Sequence, residues 1–332
     1  MSTVKQFTTK QEKSQEKLEL ELKNKFAKKK KQNELLSASY SRLGLSKALR
    51  VSECGSWLEF AKKSDDSFKL HNANFCRDRL CPMCSWRRSY KIFAQVSKIM
   101  NYIQDSFCFL FVTLTVPNCS GSDLSKTVDK LNSSFFSFVR YKRIKNINCG
   151  CFKALEITRN HKTGTYHPHL HVVFAVPLSY FKKGSYIQRD EWLALWQKAT
   201  KDPTITQVDV RRASQKVSSD GQKAVKALSS VVAEIAKYTV KSKDYIIKNN
   251  PILTDEIVSL LDSTLYHRRL CSYSGIFKDV FMALQLQDAE ADDADLINID
   301  GDLRSDIALQ IYRYEWTAGC YKLTEIINND LL

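Results

Sequence analysis

Three histidines occupy alternate positions in the stretch Tyr-His-Pro-His-Leu-His-Val-Val, residues 166–173. The apolar residues around it predict a strand, and alternate side chains of a strand share one face. His169 and His171 therefore point the same way, and two imidazoles at this spacing can hold one divalent ion. His167 lies on that face too, where Pro168 predicts the edge of the strand. The alternative is a pair of ordinary surface histidines.

An oxygen-preferring ion held by two imidazoles needs a further ligand, and a carboxylate is the natural one. Residues 162–165 are typical of a hairpin turn. Counting outward from this turn sets Glu156, on the preceding strand, roughly opposite His169 to His171. A register shift of one residue would turn the carboxylate to the other face. Glu156 is the predicted third ligand.

A row of chemically active side chains follows in a helix predicted from about residue 222 to 245. Its members are Glu234, Tyr238, Lys241 and Tyr245, which share one helical face at spacings of four, three and four. A tyrosine hydroxyl can attack a DNA phosphate and remain as a phosphotyrosine. Because a phenol of pKa about 10 is a poor nucleophile, a metal on the histidines would assist it. Glu234 could take a proton from water in a second step, and Lys241 could stabilise phosphate charge. The alternative is a solvated polar face.

Four cysteines have a spacing that suits structural zinc, which prefers a tetrahedron of Cys or His ligands. They are Cys54, Cys76, Cys81 and Cys84. His71 would replace Cys54 if that cysteine lies elsewhere. Free buried thiols and a redox Cys-x-x-Cys pair are the alternatives. Basic and aromatic neighbours suggest that this knuckle also contacts DNA: Phe75, Arg77, Arg79, Trp86, Arg87, Arg88 and Lys91.

The composition points to a polyanionic partner. The 332 residues carry a formal net charge of +15, and 43% of them are hydrophobic, enough for a substantial core. Nucleic acid is the leading partner for such a charge. With no run of eighteen apolar residues and no signal peptide, we expect a cytoplasmic protein without a membrane partner. In a reducing compartment ten cysteines favour metal binding or packing over disulfides.

The elements that must position these residues follow the order β-α-β-β-α-β-α. They are strand 107–116, a helix from Ser122 or Asp123 to about 145, strands 151–158 and 169–176, helix 190–199, strand 205–210 and helix 222–245. This order predicts an α+β fold, an antiparallel sheet of split βαβ (ferredoxin-like) topology with helices on one face. The open face would carry His169 and His171.

Four segments are predicted along the chain. They are a basic helical or disordered N-terminal arm (1–40), a zinc-binding module (41–95), a catalytic domain (96–250) and a mostly helical C-terminal region (251–332). The arm contains Lys28–Lys31 and is either a solvated tail or a source of sequence-independent attraction to phosphates. The acidic stretch between Asp288 and Asp306 would repel DNA, which favours a protein contact or a solvated loop.

Four stretches together resemble the HUH endonucleases, and among them the zinc-bearing, single-tyrosine rolling-circle replication initiators of small bacterial plasmids. They are residues 75–84 (FCRDRLCPMC), 111–118 (FVTLTVPN), 167–173 (HPHLHVV) and 234–241 (EIAKYTVK). They occur in the family's order, and the resemblance covers residues 54 to about 245.

This resemblance implies a bacterial cytoplasmic enzyme that nicks one DNA strand at an origin hairpin, in a single-stranded nick site. Tyr238 would stay attached to the 5′ phosphate while the free 3′-OH primes synthesis. Mg²⁺ or Mn²⁺ would be held by His169 and His171. Glu234 would replace the second tyrosine of the two-tyrosine initiators and serve termination. A host helicase and DNA polymerase would be partners, and a homodimer is left open.

Other functions compete with this one. A plasmid relaxase or a single-tyrosine transposase would keep the family and change the task. A histidine-triad nucleotide hydrolase would use His167, His169 and His171 without metal, and would leave the cysteines unexplained. A non-catalytic, zinc-dependent DNA-binding regulator is the third alternative. The spacing of Tyr245 from Tyr238 is seven, not the four of the two-tyrosine initiators.

Overall fold

The computed structural model describes residues 2–182, 184–213, 239–299 and 310–328. They form an α+β fold with two antiparallel sheets, which confirms the predicted fold class. The helices are α1 (Ser2–Glu21), α2 (Ala27–Arg42), α3 (Ala48–Glu53), α4 (Pro82–Ile103), α5 (Leu124–Arg140), α6 (Lys142–Lys145), α7 (Arg189–Thr200), α8 (Ser242–Tyr245), α9 (Pro251–Leu265) and α10 (Ile276–Ala283). The strands are β1 (Trp57–Lys62), β2 (Phe68–Ala73), β3 (Phe107–Thr115), β4 (Gly150–Arg159), β5 (Tyr166–Pro177), β6 (Val208–Arg212), β7 (Cys271–Gly275), β8 (Gln310–Thr317) and β9 (Cys320–Asn328).

The chain divides into two compact units, neither of them continuous in sequence. The cysteine unit comprises residues 1–91, 245–262 and 291–332, and the histidine unit comprises residues 92–244 and 263–290. Each unit contains one of the two sheets. The predicted division into four consecutive segments stays a prediction.

The histidine unit is built on a five-stranded sheet of order β6-β3-β5-β4-β7, antiparallel throughout. Helices α5 and α7 cover the face that carries Phe174, because the rings of Phe135 and Trp192 contact it at centroid distances of 6.5 and 5.9 Å. The helical spacing of apolar residues in α5 buries one stripe of that helix. The prediction of helices on one face is confirmed by α5 and α7.

The opposite face of this sheet is open only in part. Near one end, Val96 and Ile99 of α4 and Phe277 of α10 pack with Phe111 and Phe152 in a buried apolar cluster. The same face carries the histidines further along the strands, since residues two apart in a strand share a face. The site therefore lies next to a packed core rather than on a bare sheet.

An additional edge strand, β7, was not predicted. It pairs with β4, and its register sets Gly275 opposite Gly150. Gly275 has φ +51°, and a Cβ there would lie 2.4 Å from the carbonyl oxygen of Cys149. Only glycine allows this close approach without displacing the backbone. In the C-terminal region the predicted helices are present as α9 and α10, and the strands β7, β8 and β9 come in addition.

The cysteine unit contains the second sheet, of order β2-β1-β8-β9. This sheet joins strands that are some 250 residues apart in sequence, for example through the pair Glu59 and Arg313, whose side chains form an ion pair of 2.9 Å. Such pairing leaves no local signal in the sequence. The pairing of β1 with β8 joins the C-terminal strands to the N-terminal part of the cysteine unit.

The N-terminal arm is helical, but it is not a solvated tail. In the described part of the arm, α1, a π-helical turn (Leu22–Phe26) and α2 bury Phe26, Leu36 and Tyr40. Lys30, from the basic run, is only 2% exposed, whereas Lys28 and Lys31 are exposed. Expecting all four lysines of the run in solvent is wrong, because the period of the helix turns one of them inward. Across the described residues, no helix is both long and apolar enough to cross a membrane.

Candidate functional site

Two paired strands hold the predicted catalytic ligands. Strands β4 and β5 form a hairpin whose register sets Glu156 opposite His169 and Ala154 opposite His171. The side chains of Glu156, His169 and His171 therefore share one face of the sheet. All three residues are buried. The count outward from the turn predicts the same pairing. His167 is the second residue of β5, near one end of that strand.

The three side chains converge on one point. Glu156 Oε2 lies 2.9 Å from His171 Nε2 and 3.3 Å from His169 Nε2. One ligand atom from each residue lies within 4.8 Å of the other two. On the other side of the carboxylate, Lys241 Nζ lies 2.9 Å from Glu156 Oε1. Lys241 is thus brought to the group that we call the histidine-carboxylate trio (Glu156, His169, His171).

The charge state of the carboxylate suits a ligand. Burial by itself raises the pKa of Glu156, but the hydrogen bonds from His169, His171 and Lys241 outweigh burial and bring this pKa well below its usual range. Glu156 is therefore ionised at neutral pH. An ionised carboxylate between two imidazoles is a suitable ligand set for a divalent ion, which needs deprotonated ligands.

The far nitrogens of both histidines are held by other groups. His169 Nδ1 donates to the carbonyl oxygen of His167 at 3.1 Å, and His171 Nδ1 lies 3.3 Å from Thr113 Oγ1. The ring of Phe111 stacks on that of His171, with centroids 5.5 Å apart. Because Nδ1 of His169 donates to a carbonyl oxygen, Nε2 is the nitrogen left for a metal. A divalent ion bound between Nε2 and the Glu156 carboxylate would take the place of their hydrogen bond, so the residues fit a divalent metal.

His167 is held by a hydrogen bond to a residue outside the trio. Its Nδ1 lies 2.7 Å from Asn118 Oδ1, and Asn118 Nδ2 donates to Thr165 Oγ1 at 3.4 Å. Burial and the neighbouring His169 lower the pKa of His167. The roles of Thr113 and Asn118 were not predicted, since a threonine in a strand and an asparagine after a proline have no distinct pattern.

The segment that follows Tyr238, the predicted nucleophile, makes a hydrogen bond and an ion pair at the trio. Ile157 N donates to Thr239 O at 2.7 Å, one residue from Glu156, and Lys241 contacts Glu156 itself. Glu234 and Tyr238 lie outside the described residues.

The helix predicted to run to Tyr245 is not continuous over the last residues of its predicted range. Residues 239–241 are not helical, and α8 is a separate turn. Tyr245 is buried in the cysteine unit, where its hydroxyl donates to the carbonyl oxygen of Leu80. Its predicted place in one row with Lys241 is wrong, because the backbone between them leaves the helical path.

The four predicted zinc ligands also come together, entirely within the cysteine unit. The sulfur atoms of Cys54 and Cys84 and those of Cys54 and Cys81 are 3.5 Å apart, and those of Cys76 and Cys84 are 3.7 Å apart. Zinc with about 2.3 Å bonds to four sulfurs has S···S edges of about 3.8 Å. The cluster therefore fits a tetrahedral zinc ion, and with Cys54 in place it needs no histidine.

Local backbone geometry prepares these sulfurs to bind a cation. Cys81 precedes α4, whose first residue is Pro82, and its sulfur accepts from Cys84 N at 3.4 Å. Arg77 N donates to the Cys84 sulfur at 3.1 Å. Burial raises the pKa of both the Cys54 and the Cys81 thiol. A metal ion is what would hold these buried sulfurs as thiolates.

Several basic residues expected to contact DNA are engaged by the chain itself. Arg77 donates to the carbonyl oxygen of Ala294 at 3.1 Å, and Lys91 donates to that of Asp295 at 2.8 Å. Arg87 donates to the carbonyl oxygens of Leu296 and Ile297, both at 2.8 Å. These donor groups are thus occupied within the chain, and contact of the knuckle with DNA stays a prediction. Residues 294–297 of the acidic stretch accept these hydrogen bonds through main-chain carbonyl oxygens, and a contact of the stretch with another protein stays a prediction.

The family model described as "Replication protein" (Rep_1) matches residues 67–322. A "Protein rep" of Bacillus amyloliquefaciens is 37% identical over 285 residues, which cover 82% of this chain and 83% of the relative. A "Protein rep" of a Bacillus species is 38% identical, covering 76% and 85%. A "Protein rep" of Streptococcus pneumoniae serotype 2 is 34% identical, covering 80% and 82%. No solved structure matches the chain.

The family match includes three of the four cysteines, all three members of the trio and the predicted row from Glu234 to Lys241. It extends into the C-terminal strands, past the stretch on which the resemblance rested. The chain belongs to the replication protein family Rep_1, and the resemblance to rolling-circle plasmid replication initiators is confirmed.

Proposed function

We propose that this protein initiates rolling-circle replication by nicking one strand at a plasmid origin through metal-assisted transesterification. The nucleophile is Tyr238. Glu156, His169 and His171 hold Mg²⁺ or Mn²⁺, and the substrate is a single-stranded nick site in an origin hairpin. A host helicase and polymerase then use the free 3′ end.

One observation carries this proposal: the buried trio is bonded to the segment that begins right after Tyr238. Thr239 O accepts from Ile157 N, and Lys241 Nζ lies 2.9 Å from Glu156 Oε1. Thr239 directly follows Tyr238 in the chain, and this link in sequence between the predicted nucleophile and a segment bonded at the trio supports the proposal.

The reaction exchanges one ester for another. The Tyr238 oxygen forms a bond to phosphorus, the bond from phosphorus to the 3′ oxygen breaks, and the phenol's proton is released while the leaving 3′ oxygen gains one. A bound divalent ion supplies charge neutralisation at the phosphate oxygens. Lys241, whose side chain is 34% exposed, is oriented by Glu156 and adds a positive charge beside the same phosphate.

The energy of the phosphodiester is retained in the phosphotyrosine, so a later 3′-OH can displace Tyr238 and rejoin the DNA. Glu234 acts in termination as the base that takes a proton from water. Replacing Glu234 by alanine should preserve first nicking and impair release after one round. Equal loss of both steps would exclude this role.

A single assay tests the main proposal. The protein is incubated with a labelled single-stranded oligonucleotide that carries the origin, with Mn²⁺, and the products are separated on a denaturing gel. A covalent protein–DNA adduct that disappears in Tyr238→Phe is expected. Tyr266→Phe is the matched control, because Tyr266 is 69% exposed in the histidine unit.

Three other results would contradict the proposal. Retarded DNA without any covalent adduct would favour a non-catalytic regulator. An adduct that persists in Tyr238→Phe would assign the nucleophile to another residue. Transfer to a second strand with no replication from the origin would favour a relaxase or transposase.

A further inference from the structure

A buried lysine of the N-terminal helix lies beside the four-cysteine cluster. Lys30 is 2% exposed, and its ammonium donates to the carbonyl oxygens of Ser52 and Cys54, the latter at 3.1 Å. Cys54 is one of the four predicted zinc ligands. A buried ammonium is costly unless a negative charge lies near it.

Carboxylates do not supply that charge at close range. Among the residues that the structure describes, no carboxylate oxygen lies within 4.0 Å of the Lys30 ammonium. Glu34, one helical turn later, is exposed and accepts from the indole of Trp316 at 2.7 Å. Besides the more distant charge of Glu34, the cysteines are the groups whose negative charge acts on this ammonium, Cys54 most strongly.

Zinc with four thiolates is a net anion, because four negative charges outweigh the two positive charges of the ion. Main-chain N–H groups of Arg77 and Cys84 point at two of the sulfurs, but they carry only partial charge. A full positive charge within the same buried volume would compensate the excess, and attraction at low dielectric is strong.

Resting on the proposed zinc site, we propose that the Lys30 ammonium is the counter-charge of the four-thiolate centre and couples metal binding to docking of α2. Removing the metal would leave Lys30 buried without compensation, so α2 would detach. Removing the charge of Lys30 would weaken metal binding. Asn33 assists as a neutral link, since it donates to Cys54 O at 3.4 Å and accepts from Met83 N at 3.4 Å.

The experiment measures both partners of this coupling in the full-length, zinc-loaded protein. Zinc affinity is determined by competition with a chromogenic chelator. Docking of α2 is followed by cleavage after Glu34 with a glutamate-specific protease, which lysine substitutions leave intact. Lys30→Met is compared with Lys31→Met, an exposed neighbour on the same helix.

Lys30→Met should lower zinc affinity by about 10- to 100-fold, as do substitutions of residues that hydrogen-bond to metal ligands, and should speed cleavage after Glu34. Lys31→Met should leave both unchanged. Lys30→Arg keeps the charge and should retain most of the wild-type affinity, and circular dichroism establishes that each variant is folded.

Three results would overturn the inference. Wild-type zinc affinity in folded Lys30→Met would exclude the charge coupling. Equal damage from Lys30→Arg and Lys30→Met would assign shape, not charge, to Lys30. Purified wild-type protein without zinc, and unable to take it up, would remove the metal site itself; none of these results bears on Tyr238 and DNA nicking.

Discussion

The molecule contains two buried groups of metal-ligating side chains, and they are built in opposite ways. Three of the four cysteines lie within residues 76–84, so one turn and the start of α4 present them together. The trio is assembled across two strands, with Glu156 separated from the histidines by 13 and 15 residues. Local chain geometry makes the first group, and strand register makes the second.

This difference matches two kinds of metal chemistry. Four thiolates complete a tetrahedron and leave no position for a substrate, which is typical of a structural zinc site. Two imidazoles and one carboxylate leave positions open around a divalent ion, and Lys241 contacts the same carboxylate. We therefore propose that the closed group serves folding and the incomplete one serves reaction, and the predictions below test this separation.

The largest effect is expected at the closed group. Cys84→Ser should abolish zinc binding and lower the free energy of unfolding by several kcal/mol, because a structural zinc ion contributes about 10–16 kcal/mol of binding free energy in small zinc domains. Metal analysis and urea unfolding measure both. Cys320→Ser, which alters an exposed thiol, is the control. Full zinc occupancy in Cys84→Ser would assign the ion to other ligands.

Next in size is the loss of one imidazole from the trio. His171→Ala should reduce covalent adduct formation by about 10²- to 10³-fold, the usual cost of removing one transition-state stabilising group, while zinc content stays at the wild-type level. His71→Ala should change neither quantity, since the cysteine cluster is complete without it. Loss of zinc from His171→Ala would break the separation of the two groups.

Cys151 is a buried thiol outside the four-cysteine cluster, so it tests what burial alone does to a thiol without a metal. Burial raises the pKa of Cys151 to about 11. Below the unfolded-state pKa near 8.5 the thiol is protonated in both states, so its contribution to stability is fully present there. As pH rises from about 9 to 11 only the unfolded state ionises, and stability should fall by about 2–3 kcal/mol.

Urea unfolding at pH 8 and pH 10.5 measures this loss, with Cys151→Ala as the control whose stability should depend less on pH. An identical pH dependence in both proteins would show that Cys151 does not carry the effect. In that case burial alone would also not explain the protonation of the other buried thiols in the chain.

The smallest effect concerns the charge beside the trio. Lys241→Met should slow adduct formation by about tenfold, the cost of one charge-assisted hydrogen bond, while metal affinity of the trio changes little. Lys243→Met, which alters an exposed neighbour, should match the wild type. Rates are read from time courses on denaturing gels. A Lys241→Met protein as fast as wild type would leave the lysine a purely structural partner of Glu156.

Much of the site follows from sequence because its signals are local. The alternation at His169 and His171 and the short spacing of Cys81 and Cys84 depend on periodicities that any strand or turn imposes. Glu156 required only a count from the hairpin turn. Cys54 differs from Glu156 in this respect. It is separated from the other three cysteines by β1 and β2, so only the need for a fourth thiol predicted it as a zinc ligand.

Other features leave no local trace. Strand β8 pairs with β1 across some 250 residues, and β7 pairs with β4 across some 120 residues. The lysine run Lys28–Lys31 has uniform composition, yet packing divides it into buried and exposed members. The change of backbone path between Lys241 and Tyr245 likewise depends on contacts with distant residues.

By itself the sequence determined the chemical identity of both ligand groups, the order of the main elements in the histidine unit and the charge that attracts a polyanion. These depend on residue type and on spacing over a few residues. Only the tertiary structure decided which lysine lies against the cysteines, which arginines the chain itself occupies and where Thr239 meets β4. Those outcomes are settled by packing between segments far apart in the chain, where no fixed spacing relates one residue to another.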